Sequence, residues 1–150
     1  MISRTVLVLA ESFGEGLRAT RVADAIGRGL SAEGRLECDL CPLDTDAGEP
    51  VDASPVEVSK LLDAHDFGKR MLAARALVIA RERLEDSTLA GSIAFEAATR
   101  ARQSGVPAYA VTGHDELDPF EARIVDLQVI LQADTPRTLS AAGRKLATLV

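Results

Sequence analysis

The run Arg4-Thr-Val-Leu-Val-Leu-Ala10, followed at once by Glu11-Ser-Phe-Gly-Glu-Gly16 and then by a helical pattern, is the organising unit of this sequence. An unbroken apolar run rich in β-branched residues suits a strand covered on both faces, because alternation disappears when neither face meets water. From Leu17 to about Ala32, the residues Leu17, Val22, Ala25, Ile26 and Leu30 recur at helical spacing. Strand, glycine-containing turn and helix therefore follow one another in the first 32 residues.

The same rhythm continues. Ala76-Leu-Val-Ile-Ala80, Val106 to Thr112 and Leu127 to Leu131 read as further strands, and Arg35 to Leu40 as a weaker one. Ser54-Pro55 with Glu57 supplies a cap, an N1 proline and an early acid for a helix through Val58, Leu61 and Leu62 that Gly68 breaks or ends. Asp86 or Ser87 is expected to cap a long helix to about Ser104, stopped by Gly105 before Pro107. Asp118-Pro119 and Thr135-Pro136 open two more. Five strands separated by helices predict an α/β chain: a single three-layer α/β/α domain around a Rossmann-like parallel five-stranded sheet.

Composition narrows the function classes. The chain has 150 residues, 47% hydrophobic and 27% charged, with 17 basic against 23 acidic side chains and a net charge of −6. Such a surface repels nucleic-acid backbones and anionic membranes, so neither is an expected partner. Aromatics are 3% with no Trp, which removes stacking platforms. The apolar run near the N-terminus is too short for a secretory signal, and two cysteines suit a reducing compartment; a cytoplasmic location is expected.

In such folds ligands bind beyond the carboxyl ends of the strands, at helix N-termini. That selects Glu11 to Gly16, Arg81 to Thr88 and Thr112 to Asp118. Gly14 and Gly16 with Ser12 could present N–H groups to an anion, or could serve the turn geometry alone. The segment lacks both the P-loop lysine and the third glycine of a dinucleotide fingerprint. Arg81-Glu-Arg-Leu-Glu-Asp-Ser-Thr88 offers arginines for a carboxylate or phosphate, or else mutual ion pairs on a solvated loop. His114, after Gly113 and beside Asp115, suits a general base, or is merely exposed. His65 receives no role. Cys38-Asp-Leu-Cys41 sits at a strand end rather than a helix start, so two small buried side chains are expected instead of a redox pair, and no second ligand pair supports a metal.

The stretch Val6 to Leu30 resembles, without a gap, the opening of the bacterial type I glycerate kinase family: a strand, Pro-Asp-Ser-Phe-Lys, then Val-Ala-x-Ala-Ile-x-x-Gly. Ala76 to Gly91 is similar to that family's Leu-Val-Ile-Thr-Gly-Glu-Gly-Arg segment, and Gly105-Val-Pro-Ala-Tyr-Ala-Val-Thr-Gly113 to its Gly-Val-Pro stretch. Ser12, Phe13, Glu82, Arg83 and Gly91 match, and Glu85 stands in for the family aspartate. Gly14 replaces a lysine, Glu11 an aspartate, Arg81 a glycine and Ser92 a second lysine, and the family's long glycine-rich centre has no counterpart between Ser54 and Ala74.

The resemblance implies ATP-dependent phosphorylation of glycerate with Mg-ATP as co-substrate. Glu11, Ser12, Arg83 and His114 would be catalytic, and Phe13, Arg81, Glu82, Glu85, Ser87, Thr88 and Gly113 would hold a small anionic hydroxy acid. Phosphoryl transfer relies on cations to neutralise developing charge, and both lysines are gone. The expectation is a degenerate relative with weak or no kinase activity, or a non-catalytic anion-binding or interaction module. A homo-oligomer is expected, because loss of a second domain would uncover apolar surface.

Overall fold

A computed structural model describes residues 3–43, 55–85 and 91–150. The elements are β1 (Thr5–Ala10), α1 (Ala19–Ser31), β2 (Glu37–Pro42), α2 (Pro55–Ala64), α3 (Phe67–Leu72), β3 (Ala76–Glu85), α4 (Ile93–Gln103), β4 (Ala108–Glu116), α5 (Pro119–Val125), β5 (Leu127–Gln132) and α6 (Pro136–Ala147). The strands form one parallel sheet in the order β2-β1-β3-β4-β5. This is a Rossmann-like α/β fold, as the strand–helix rhythm predicts. The chain leaves β1 for β2 on one side, then crosses back to β3 on the other, so the carboxyl ends of β1 and β3 flank the switch point.

Side-chain alternation in the buried strands builds two cores. Val6, Val8, Val78, Ala80 and Val111 face α1 and α6. Leu7, Leu9, Leu77, Ile79 and Ala110 face the layer supplied by α2, α3, α4 and α5. On the first side α1 and α6 meet backbone to backbone. A Cβ on Gly29 would overlap the Ser140 carbonyl oxygen and stand 2.9 Å from the Gly143 Cα, and one on Gly143 would overlap the Ile26 carbonyl oxygen.

Several boundaries differ from the sequence reading. Strand β3 continues through Glu85 and β4 through Glu116, where loops were expected, because the two ladder together from Arg81↔Thr112 to Glu85↔Glu116. Strand pairing overrides the poor β-propensity of these charged residues. Gly68 lies inside α3; the break falls at Asp66, which adopts a left-handed φ of 54°. Helix α1 starts at Ala19 rather than Leu17, since the Leu17 carbonyl is held by Phe13 N–H in a turn (2.7 Å). Helix α4 follows Ser92, whose Oγ accepts from Phe95 N–H at 3.1 Å; Asp86 and Ser87, read as the cap of this helix, lie outside the described residues. Strand β2 lies two residues later than expected. Gly105 ends α4 with φ 70°, and the Asp118-Pro119 and Thr135-Pro136 caps form as read. Among the described residues no helix is long and apolar enough to cross a membrane.

Candidate functional site

At the switch point the chain leaves β1 with Glu11 N–H still donating to the Ala80 carbonyl of β3 (3.0 Å). That bond keeps Glu11 beside the next residue of β3, Arg81. The Arg81 Nη1 donates to both Glu11 carboxylate oxygens, each at 3.0 Å. The two residues are 5% and 2% exposed, and Ser12 beside them is 1% exposed. A charge pair this dry is held at a desolvation cost that mutual attraction roughly offsets. Among the described residues no buried side-chain polar atom lacks a hydrogen-bond partner.

The turn that follows uses glycine where it must: Gly14 has φ 81°, and Glu82 Oε1 lies 4.0 Å from where its Cβ would be. Phe13 packs into the core with Leu17. Glu82 thus stands over the β1 turn, while Glu11, Ser12 and Arg81 form its buried floor.

Arg83 and His114 lie farther out on the same end of the sheet, on the paired extension of β3 and β4. Two strand residues past Arg81 is about 7 Å. Arg83 pairs with Glu116 across the ladder, both half exposed. His114 is exposed, and its backbone rather than its ring engages Thr112: His114 N–H donates to Thr112 Oγ1 (3.3 Å), and that hydroxyl lies 3.1 Å from the Glu82 carbonyl. Gly113 sits against the Glu82 carbonyl, 3.0 Å from where its Cβ would be. Glu85 closes β3. Ser87 and Thr88 lie outside the described residues.

The structure thus brings Glu11, Ser12 and Arg81 together, with Glu82 above them, and sets Arg83 and His114 apart on the extension. The solvated loop of mutually paired Arg81, Glu82, Arg83 and Glu85 does not form; Arg81 takes the carboxylate of Glu11 just past β1, and Arg83 that of Glu116 on β4. Thr112, which is fully buried, and Glu116 fall inside the segment the sequence selects but receive no role there. Only the parallel register with β3 identifies them.

The cysteine pair is not a redox pair. Three residues apart on a strand, Cys38 and Cys41 face opposite sides of the sheet, Cys38 toward the Gly27 carbonyl of α1 and Cys41 into the other core. Burial pushes both thiols above their usual range, and Arg70 only partly counters this at Cys41. Arg70 instead grips the Asp39 carboxylate with two bonds of 2.9 and 2.7 Å. Alkylation by iodoacetamide at neutral pH should therefore be far slower in the native protein than in urea. The native state holds these protons longer than the unfolded chain, so stability should fall as pH rises above about 8.5, where unfolded thiols ionise. Equal native and unfolded alkylation rates would contradict this burial.

No family model and no curated protein matches the chain. Among the solved structures similar to it is a candidate pilus assembly-related protein from Burkholderia pseudomallei. It shares 16% identity over 99% of this chain and 94% of that one, with TM-score 0.48. A de novo designed Rossmann 2x3 protein shares 12% identity over 97% and 90%, with TM-score 0.47. A candidate glycerate kinase 2 from Salmonella typhimurium shares 14% identity over 87% of this chain but 36% of that one, with TM-score 0.46. The fold assignment rests on the strand order itself, and these weak similarities assign no function.

Proposed function

We propose that the chain is a small-anion-binding module on a glycerate-kinase-like scaffold, taking a hydroxy acid at the β1–β3 switch point without transferring phosphate. The buried Glu11–Arg81 pair is the observation that supports this reading. An apolar pair of similar volume would hold the fold as well or better, so stability alone gives little reason for charges at this position. Their placement at the ligand end of the sheet, beside buried Ser12, suits recognition instead. The Arg81 guanidinium would attract a ligand carboxylate, and Glu11 would accept a hydrogen bond from its hydroxyl.

Charge decides how large an anion fits. Glu11 already neutralises Arg81, so the floor carries no net positive charge with which to hold a polyanion. A triphosphate with its magnesium, the co-substrate that the family resemblance implies, does not fit: Gly14 replaces the family lysine, and the floor's arginine is held by a carboxylate.

A coupled ADP-release assay with D-glycerate, magnesium and ATP should show no turnover above the blank. D-glycerate at ten times its Kd should add about 1.4 kcal/mol, raising Tm by roughly 3–5 °C. Turnover that Arg83→Ala abolishes would establish the kinase instead, and no shift with millimolar glycerate would remove the binding reading.

A further inference from the structure

The two edges of the sheet are treated differently. The β2 edge carries Glu37 and Asp39 and ends at Pro42, and its Leu40 carbonyl accepts from the Arg70 guanidinium at 2.9 Å. Charge, proline and a side chain on the backbone are the means by which proteins block strand addition. The β5 edge, Leu127-Gln-Val-Ile-Leu-Gln132, has no charge and no proline. Among the described residues no side chain bonds to its backbone. Its Leu127, Val129, Ile130 and Leu131 are each only half-buried. Such an edge is a template for another strand.

We infer that a second copy of this chain pairs with it, β5 against β5, about a two-fold axis. The sequence Gln128-Val-Ile-Leu-Gln132 is nearly the same read from either end. Antiparallel pairing centred on Ile130 places Ile130 opposite itself, Val129 opposite Leu131 and Gln128 opposite Gln132. Each apolar pair extends an existing layer: Ile130 packs with the α2–α5 side, and Val129 and Leu131 with the α1 and α6 side. Amide faces amide at both ends, where each Gln can donate and accept. The one register shift against β4 precedes Ile130, so Ile130 to Gln132 run in regular ladder.

Five residues of strand alone fall short of the roughly 1,200 Å² that a stable dimer buries. The helix leading into β5 supplies more apolar surface. Phe120 and Ile124, four apart on α5, are 66% and 40% exposed. This α5 is joined to β5 by Asp126 alone and packs in the layer that covers Ile130. The result is a continuous ten-stranded sheet with one antiparallel junction. The inference is independent of the ligand proposed above.

Sedimentation of the full chain from micromolar to submillimolar concentration tests it. The wild type should dimerise. Gln128→Lys with Gln132→Lys sets lysine opposite lysine twice and should weaken the dimer roughly tenfold or more. Gln128→Lys with Gln132→Glu sets lysine opposite glutamate twice and should restore it. These glutamines are exposed, so circular dichroism and Tm should confirm an intact fold in both variants. On oxidation Ile130→Cys should give a covalent dimer much faster than Leu72→Cys on distant α3. A monomer at every concentration, or a dimer as tight with four lysines as without, would overturn the inference; the first result would leave the edge to a strand from another protein.

Discussion

Alanine at Gly143 is expected to destabilise the protein by about 3 kcal/mol or more. In an ordinary helix interior the same change would stabilise by roughly 0.5–1 kcal/mol, because glycine has more conformational freedom to lose. Here the added methyl meets the Ile26 carbonyl oxygen and lies 3.0 Å from both Gly29 Cα and Leu30 N. Those are backbone atoms of a helix packed on the sheet, so α1 must be pushed off α6 to make room. Gly29→Ala meets the Ser140 carbonyl from the other side and should behave alike. Gly27 is the internal control: its nearest neighbour is a Leu40 methyl at 3.1 Å, which can turn away. Urea denaturation of the three variants should separate Gly27→Ala, near wild type, from the other two. Equal stability of Gly143→Ala and Gly27→Ala would show that the helices do not meet as described.

Arg81→Ala carries the other large effect. It removes the guanidinium paired with a Glu11 carboxylate that is 2% exposed, an expected loss of about 3–5 kcal/mol. Glu11→Leu combined with Arg81→Met removes both charges and keeps the volume, and should return to within about 1 kcal/mol of the wild type. The contrast between single and double variant is the signature of a buried pair. A double variant as unstable as Arg81→Ala would mean that the arginine holds the fold by other contacts.

The fold was legible because its strands are unusually plain. Val6 to Ala10 and Ala76 to Ala80 are apolar at every position, and Pro119 and Pro136 mark helix starts with capping residues before them. Where the reading failed, the deciding interaction was non-local. Nothing in Arg81-Glu-Arg-Leu-Glu85 marks a strand until β4 lies beside it, and Gly68 ends no helix because Asp66 has already turned the chain. Leu84 shows the point: it falls in the same core as Leu77 and Ile79 despite opposite parity, so the alternation shifts within β3. The site was half legible. Glu11, Ser12 and Arg81 follow from where strands end, but their pairing needs the β1–β3 register. The Arg83–Glu116 pair needs that of β3 with β4. The placement of Cys38 and Cys41 on opposite faces could have been read from their odd spacing alone.

The proposed function requires that the charges at the β1–β3 junction serve a ligand. Calorimetric titration of D-glycerate into the wild type and Glu11→Gln measures this directly. The amide keeps the shape and an acceptor for the hydroxyl but removes the Glu11 charge that competes with a ligand carboxylate for Arg81, so the variant should bind the acid at least several-fold more tightly. Two folded proteins that both ignore D-glycerate at millimolar concentration would contradict the account and reduce the pair to a structural contact.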